Sequence, residues 1–272
     1  MFILFITIIL ITSIFMYNNT IAHEPEGVPL PIVMYHSILK SKKSKYIAAP
    51  DQLENDLKYI KDNGYTTINM KDLIDYVYEE KPLPDKPIMI TFDDGHYNNL
   101  VYAVPLLKKY NMKAVVSVVG KFTDDYSKTD ETNANYSYLR WKDINSLITD
   151  GTIEFQNHSY NLHSTKDRNG AKKKRRESLE EYKNVLIEDI MKLQEEFKEN
   201  VNYIPTTFTY PFGAISKDSV DIIKEIGFKA SFAAEDGLNY VTKDKDCLYL
   251  LKRFNRSGKK STEDFFKKIE KM

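Results

Sequence analysis

Short apolar runs alternate with amphipathic stretches along most of the chain. Ile32–Tyr35 is apolar throughout and predicts a buried strand, and Leu53, Leu57 and Ile60 then recur at helical spacing. The same alternation continues to the C-terminus, where residues 177–199 form the longest predicted helix. Strand followed by helix, repeated about seven times, predicts an α/β fold. We expect a distorted (β/α) barrel of about seven parallel strands in a single domain.

The other predicted strands are separated by turn residues and by two long polar stretches. These strands lie at residues 65–68, 87–92, 114–119, 152–156, 206–210, 228–232 and 248–254. Asp51, with Glu54 three residues later, predicts the start of the first helix. The polar stretches 121–140 and 164–176 are predicted to be long loops, which in compact domains are usually functional or mobile.

The N-terminus has the pattern of an export segment. Residues 1–22 carry no charged side chain and are mostly apolar, and Thr20 and Ala22 supply small residues for a signal peptidase. We therefore expect either a signal peptide cleaved before His23 or a retained membrane anchor, so that the protein is extracellular or bound to the cell surface. Residues 23–30 are then a linker and residues 31–272 the barrel domain.

Charge and cysteine content exclude some classes of function. The 39 Lys and Arg residues balance 39 Asp and Glu residues, whereas nucleic-acid binders normally carry a basic excess. The basic run at 172–176 is the exception. It is either a solvated face at a helix start or a contact to an anionic polymer or to lipid headgroups. Cys247 is the only cysteine and is predicted to be a small apolar residue.

Polar side chains that can bind metal follow four of the predicted strands. His36 follows the first strand, Asp93 and Asp94 follow the third, His158 follows the fifth, and Tyr-Pro-Phe-Gly at 210–213 ends the sixth. The carboxyl ends of parallel strands meet at one rim of a barrel, where such enzymes place their active sites. The sequence therefore predicts that these groups converge on one site.

The types and spacing of these residues predict a metal centre. Asp93 and Asp94 are adjacent, so on an extended backbone one can bind a metal while the other faces the reacting water. His158 and His163 are five apart and must share a loop to bring both imidazoles to one point. One carboxylate and two imidazoles form a catalytic zinc site with one position open to water. The chain has no His-Glu-x-x-His motif, which excludes the helix-based zinc peptidases.

Two motifs carry a resemblance to a known family. Thr-Phe-Asp-Asp-Gly at 91–95, followed by His-Ser-Tyr-Asn-Leu-His at 158–163, resembles the signature of the polysaccharide deacetylases with a NodB-type domain, the fourth family of carbohydrate esterases. The resemblance covers the chain from about Pro31 onward. The histidine spacing of five, with Met-Tyr-His at 34–36 and the segment 210–213, is most similar to the subgroup that deacetylates poly-N-acetylglucosamine in biofilm matrices.

The resemblance implies a role for each motif residue. Asp94, His158 and His163 would bind one divalent metal ion, zinc first, with cobalt, nickel or iron as alternatives. Asp93 would act as the general base, and the backbone N–H of Phe212 would help to hold the oxyanion. The implied reaction removes N-acetyl groups from N-acetylglucosamine units of a cell-surface or extracellular polysaccharide, with poly-β-1,6-N-acetylglucosamine favoured and peptidoglycan next.

The chain departs from the family pattern at two points. The arginine that usually precedes the proline of the third motif by two residues is replaced by Thr209, and the late histidine that usually serves as general acid is absent from residues 250–254. We expect His36 to be the general acid, with His96 or a protonated Asp93 as alternatives, or His36 only bracing the rim. The departures also leave open a catalytically weak or silent protein that binds wall or matrix polysaccharide.

Four aromatic residues are predicted to contact the sugar: Tyr97, Tyr160, Tyr210 and Trp141. For Trp141, packing in the core or at the rim is the alternative. A glycosidase that uses Asp93 and Asp94 as its carboxylate pair is disfavoured, because adjacent carboxylates do not flank a scissile bond and the two histidines would be left without a role.

Overall fold

The computed structural model describes residues 26–272 of the chain. The strands within that range are β1 (Val28–Leu30), β2 (Ile32–Tyr35), β3 (Ser37–Ile38), β4 (Ile47–Ala48), β5 (Thr66–Ile68), β6 (Pro87–Phe92), β7 (Ala114–Val118), β8 (Ile153–Asn157), β9 (Thr207–Thr209), β10 (Ala230–Phe232), β11 (Asn239–Val241) and β12 (Phe254–Asn255). The α-helices are α1 (Pro50–Asp62), α2 (Met70–Tyr78), α3 (Val104–Tyr110), α4 (Gly120–Thr129), α5 (Trp141–Asp150), α6 (Leu179–Val201), α7 (Ser219–Glu225) and α8 (Thr262–Glu270).

The main sheet is parallel and curls round on itself. Its strands follow the order β10-β9-β8-β7-β6-β2-β12, and β5 also pairs with β6. Leu251 forms a parallel bridge to Phe232 at the end of β10, and three residues later β12 begins and pairs with β2. The last strand segment therefore touches both ends of the sheet, and the prediction of a distorted (β/α) barrel of about seven parallel strands is confirmed.

The central strands are buried on both faces. Ile32 and Met89 pack into one apolar cluster together with α2, and their neighbours Val33 and Ile90 pack into another together with α1 and α3. Parallel sheets covered on both faces need such unbroken apolar strands, since alternate side chains point to opposite sides. The charged and metal-binding side chains discussed below therefore stand just after the strands end, on a rigid scaffold.

Three local predictions were wrong. The stretch 121–140 was predicted to be a loop, but it contains α4, in which Lys121 pairs with Asp125 one turn on and little apolar surface marks a face. The predicted strand 248–254 is broken by Leu250 at φ 59°, so that within it only Leu251 and Phe254 pair with strands of the sheet. The first helix begins at Pro50, whose fixed φ suits the first turn, rather than being capped by Asp51.

The N-terminal predictions meet the structure only in part. The export segment 1–22 lies outside the described residues. The linker predicted at 23–30 needs a correction, because Val28–Leu30 is a strand that pairs antiparallel with Asn239–Val241 and buries Leu30. Among residues 26–272, no helix is both long and apolar enough to cross a membrane.

Candidate metal and active site

The polar residues at four strand ends line one cavity of about 500 Å³. His36 follows β2, Asp93 and Asp94 follow β6, and His158 follows β8. The segment after β9, which contains Tyr210 and Phe212, forms a further part of the wall. The remaining lining residues are Met34, Ser37, Leu39, Lys45, Tyr46, Ile47, His96, Asn135, His163, Gly213, Ala234 and Asn255. The predicted convergence on one rim is therefore seen in the structure.

Asp94, His158 and His163 meet at one point. One ligand atom from each lies within 4.8 Å of the other two. Nε2 of His163 is 3.0 Å from Oδ1 of Asp94, and Nε2 of His158 is 3.5 Å from the same oxygen. The loop between the two histidines folds as the spacing of five required. This set of one oxygen and two nitrogens matches the donors that a catalytic zinc ion uses.

The hydrogen bonds around these three residues favour a cation between them. Nδ1 of His158 lies 2.8 Å from the carbonyl oxygen of Thr209, which can only accept, so Nδ1 carries the proton and Nε2 presents a lone pair. Oδ1 of Asp94 is buried and makes no hydrogen bond of good geometry within the described chain. A lone pair facing a carboxylate oxygen is repulsive, so a positive charge must lie between them, either a second proton on the imidazole or a metal ion. The residues present therefore fit a divalent metal ion.

The lowered pKa of Asp94 also agrees with a role as a metal ligand. Burial opposes ionisation of its carboxyl group, but the imidazoles of three histidines hold its pKa well below the usual range. The third of these is His96, whose Nε2 lies 3.4 Å from the other carboxylate oxygen and whose ring stacks on Tyr138. Asp94 is thus an anion at any pH near neutrality, as a metal ligand must be.

The backbone leaves the strands in an unusual conformation at three of these ends. Asp94, Ser159 and Phe212 have φ values of 72°, 70° and 58°, in the left-handed region that costs a non-glycine residue about 1 kcal/mol or more. Residues in this conformation are concentrated at functional sites, where contacts with the surrounding structure hold them in place. Here it turns the chain sharply after β6, β8 and β9, so that the residues at these ends face the cavity.

A carboxylate from α6 holds the loop that carries the two histidines. Oδ1 of Asp189 accepts the backbone N–H of Tyr160, and Oδ2 accepts that of Asn161, both at 2.8 Å. Burial raises the pKa of Asp189 to about 6, although both backbone donors favour its anion. The loop between His158 and His163 is therefore anchored at its middle to the longest helix.

Asp93 is held by an arginine that the sequence analysis did not single out. Nη1 of Arg253 lies 2.7 Å from one oxygen of Asp93, and Nη2 lies 2.9 Å from the other, in a fully buried ion pair. Burial would raise the pKa of Asp93, but Arg253 lowers it overall. Thr209, which stands where the family usually has an arginine, instead bonds to the hydroxyl of Ser117. Arg253 thus supplies the missing cation from the other end of the sheet.

His36 lies at the cavity wall beside the carboxylates. Burial lowers its pKa, against the pull of Asp93 and Asp94, so the imidazole is neutral near pH 7. Its Nδ1 is buried without a hydrogen-bond partner in the described part of the chain. The ring contacts Tyr46 at 4.8 Å between centroids, and the backbone carbonyl accepts the side-chain amide of Asn99 at 2.9 Å.

The predicted sugar-binding aromatics divide into two groups. Tyr210 lines the cavity, although its hydroxyl bonds to Ser219. Trp141 is 8% exposed, donates its indole N–H to Asp124 and packs against the core, which is the alternative that its sequence position left open. Tyr160 bonds the other oxygen of Asp124, and Tyr97 packs against Arg140. These last three do not line the cavity, because their rings are used in packing around α4 and α5.

Comparisons with known proteins agree on one family. The polysaccharide deacetylase family profile matches residues 80–231. The chain is 23% identical over 205 residues to the poly-β-1,6-N-acetyl-D-glucosamine N-deacetylase of Escherichia coli K12, with 68% of this chain and 30% of the relative covered. It is 25% identical over 197 residues to the enzyme of the same name from Staphylococcus aureus N315, with 72% and 64% covered. The chain thus spans less than two thirds of either relative.

Solved structures share the fold. A de-N-acetylase from Aggregatibacter actinomycetemcomitans superposes with a TM-score of 0.73 at 24% identity, covering 90% of this chain and 99% of that one. A deacetylase from Streptococcus pyogenes gives 0.71 at 21% identity, with 89% and 98% covered. At this level of identity the superpositions establish the barrel architecture, and residue roles must be argued from this chain's own side chains.

Proposed function

Because the chain belongs to the polysaccharide deacetylase family, we propose that it is a metal-dependent hydrolase that removes N-acetyl groups from N-acetylglucosamine units of a cell-surface or extracellular polysaccharide. The observation that carries the proposal is the meeting of Asp94, His158 and His163 beside the buried pair of Asp93 and Arg253. The names of the two relatives favour poly-β-1,6-N-acetylglucosamine as the polymer. Peptidoglycan is the second candidate.

Asp94, His158 and His163 would hold one divalent ion, with zinc favoured over cobalt, nickel or iron. When bound, such an ion polarises the acetamide carbonyl and lowers the pKa of a water molecule toward about 7. The carbonyl of Thr209 keeps His158 in the tautomer that can bind it. The fit of this donor set supports zinc, because oxygen and nitrogen ligands with one open position are typical of hydrolytic zinc sites.

Asp93 would take the proton of the attacking water. Arg253 keeps Asp93 ionised and points both of its oxygens in a fixed direction, which is what a general base requires. The protonated Asp93 can then donate to the leaving amine, and His36 is the other candidate donor. His36 is neutral at rest because burial lowers its pKa, so it would have to take up a proton during the reaction.

Phe212 would contribute its backbone N–H to the oxyanion. The residue follows a proline, sits at φ 58° and lines the cavity next to His163, with 4.4 Å between the two rings. A backbone donor fixed in this way costs no reorganisation when charge develops on the carbonyl oxygen, and removal of one such donor typically costs about 10²-fold in rate.

The proposed function also requires that the enzyme is exported from the cytoplasm. An apolar leader at residues 1–22 would place the enzyme outside the cytoplasm, where polysaccharides of this type are found, either after cleavage or anchored to the membrane. The alternative of a silent binding protein loses one of its two supports, since Arg253 pairs with Asp93 where the arginine of the third motif is missing. Its other support is the absence of a late histidine from residues 250–254.

The test is release of free amine from β-1,6-linked N-acetylglucosamine oligomers and from peptidoglycan. We expect release that a chelator abolishes and added zinc restores, and that Asp93→Asn lowers by about 10²- to 10⁴-fold. His36→Gln in the same assay tests the second proton donor. Asp85→Asn, an exposed aspartate outside the cavity, is the control. Activity that survives both the chelator and Asp93→Asn would contradict the metal mechanism.

A further inference from the structure

Lys45 and Tyr46 form an edge of the cavity that none of the sequence motifs includes. Both side chains line the cavity, and Tyr46 is 47% exposed. The backbone here is fixed, because the carbonyl of Lys45 accepts the side-chain amide of Asn255 at 3.0 Å and that of Tyr46 accepts the N–H of Ser37 at 3.2 Å. We refer to these two residues as the Lys45–Tyr46 edge.

The exposed ring of Tyr46 offers apolar surface beside the reacting groups. Its other side packs against His36, with 4.8 Å between ring centroids. Phe212 is likewise 49% exposed and packs against His163. Each ring therefore rests on one imidazole of the site and leaves part of its surface for a ligand. Aromatic rings with this exposure suit the CH face of a pyranose, because they combine a flat apolar surface with little conformational entropy to lose.

Lys45 places a positive charge close to the same position. Its Nζ lies 4.9 Å from the ring centroid of Tyr46, and that centroid lies 4.8 Å from the ring centroid of His36. The ammonium group is therefore no more than ~10 Å from the ring centroid of His36. This distance is about one Debye length at 0.1 M salt. The carboxylate of Asp236 also attracts the ammonium group of Lys45. Asp236 is, however, already paired with Lys268 and accepts the backbone N–H of Asn255. The charge of Lys45 is therefore felt inside the cavity.

The reaction changes the charge of the sugar. Water cleaves the amide C–N bond, so that a neutral acetamido unit gives acetate and an amine, and the amine is an ammonium ion at neutral pH. A glucosamine unit placed at the Lys45–Tyr46 edge would bring its ammonium within reach of the lysine, whereas an acetylated unit would bring no charge. The edge should therefore accept acetylated units and disfavour deacetylated ones.

We propose, on the basis of the deacetylase function above, that the Lys45–Tyr46 edge is a subsite for an acetylated, uncharged sugar next to the reacting one. Tyr46 stacks on its ring, and Lys45 excludes a unit that has already lost its acetyl group. The enzyme then selects acetylated stretches of polymer and slows down as ammonium groups accumulate.

The test compares two oligomers of equal length, one fully acetylated and one with some units already deacetylated. We expect the wild-type protein to prefer the first in kcat/KM, and Lys45→Glu to reduce that preference by about two- to five-fold, since exposed charges interact weakly. Lys42→Glu is the matched control, because Lys42 is an exposed lysine of the same loop that does not line the cavity. Tyr46→Ala should raise KM for both oligomers with little change in kcat.

The possible outcomes distinguish failure of the subsite proposal from failure of the proposed deacetylase function. An unchanged preference in Lys45→Glu, or an equal change in Lys42→Glu, would overturn the subsite. If the wild-type protein releases no amine from either oligomer, the proposed function fails instead. Calorimetric binding of the same two oligomers to the wild-type and Lys45→Glu proteins then decides the subsite, with the loss of preference as the expected result and an unchanged preference as the contrary one.

Discussion

Arg253 illustrates how one side chain can set the chemistry of another that lies far away in sequence. It is fully buried and gives Asp93 two parallel hydrogen bonds across 160 residues of chain. It also donates its Nε–H to the carbonyl of Ala233 at 2.8 Å, which fixes the plane of the guanidinium. A bidentate pair of this kind sets both the orientation and the charge of the carboxylate. The pair therefore fixes the orientation of Asp93, the proposed base, at the wall of the cavity.

We predict that Arg253→Gln lowers kcat by roughly 10- to 100-fold and moves the acid limb of the pH–rate profile upward. Arg253 lowers the pKa of Asp93, and the base works only as a carboxylate, so activity is lost as the pH falls through that pKa. Without the guanidinium the pKa rises, and the loss begins at a higher pH. The measurement is kcat/KM as a function of pH. Arg253→Lys keeps a positive charge beside Asp93 and should therefore show a smaller upward shift than Arg253→Gln.

A structural role alone would give a different result for Arg253→Gln. Breaking a buried ion pair can destabilise the fold, so unfolding should be followed in parallel. Arg140→Gln breaks another nearly buried pair, to Asp143, away from the cavity, and should leave the acid limb unchanged. If kcat of Arg253→Gln falls with no movement of the limb, the arginine supports packing rather than the base.

The loop that carries His158 and His163 depends on α6 for its shape. Asp189 accepts two consecutive backbone N–H groups in the middle of this loop, which no other acidic side chain of the described helix does. Both imidazoles must hold their positions to within a few tenths of an ångström to share one ion. The helix would therefore act on the proposed metal site only through the backbone of this loop.

We predict that Asp189→Asn lowers zinc affinity by about 10- to 100-fold, as loss of a partner outside the ligand set commonly does. An amide has one acceptor oxygen, so one of the two backbone N–H groups loses its partner and the NH₂ group faces a donor. Competition with a chromogenic chelator measures the affinity. Glu188→Gln, an exposed neighbour on the same helix, should have no effect, and equal affinities for the wild-type and Asp189→Asn proteins would show that the loop holds its shape alone.

The sequence predicts those elements and site residues whose signal is local. The apolar run of β6 followed by Asp93 and Asp94 can be recognised because a strand buried on both faces has mostly apolar residues up to its end. The sequence does not reveal the role of Arg253, because its partner Asp93 lies far away along the chain. The left-handed Leu250 also interrupts the strand pattern just before it. Trp141 was assigned to sugar binding because its partner Asp124 lies in α4, a helix with little apolar pattern to reveal it.

The closure of the whole barrel rests on a second buried ion pair. Arg256 follows β12 and makes two hydrogen bonds to Asp56 of α1, at 2.6 and 2.9 Å, with both side chains fully buried. Tyr35 at the end of β2 and Thr262 at the start of α8 each donate a hydroxyl to the same carboxylate at 2.6 Å. One carboxylate thus joins the first and last parts of the barrel, and Tyr35 directly precedes His36 at the cavity.

We predict that Asp56→Ala destabilises the protein by about 3–5 kcal/mol, because it leaves the guanidinium of Arg256 buried without its anion. The measurement is the midpoint of denaturant unfolding. Asp62→Ala removes an exposed ion pair to Lys58 from the same helix and should cost less than about 1 kcal/mol. Asp56→Ala should also weaken activity, since the end of β2 that carries His36 loses the hydrogen bond of Tyr35. A cost for Asp56→Ala as small as that for Asp62→Ala would mean that the apolar core closes the barrel without this pair.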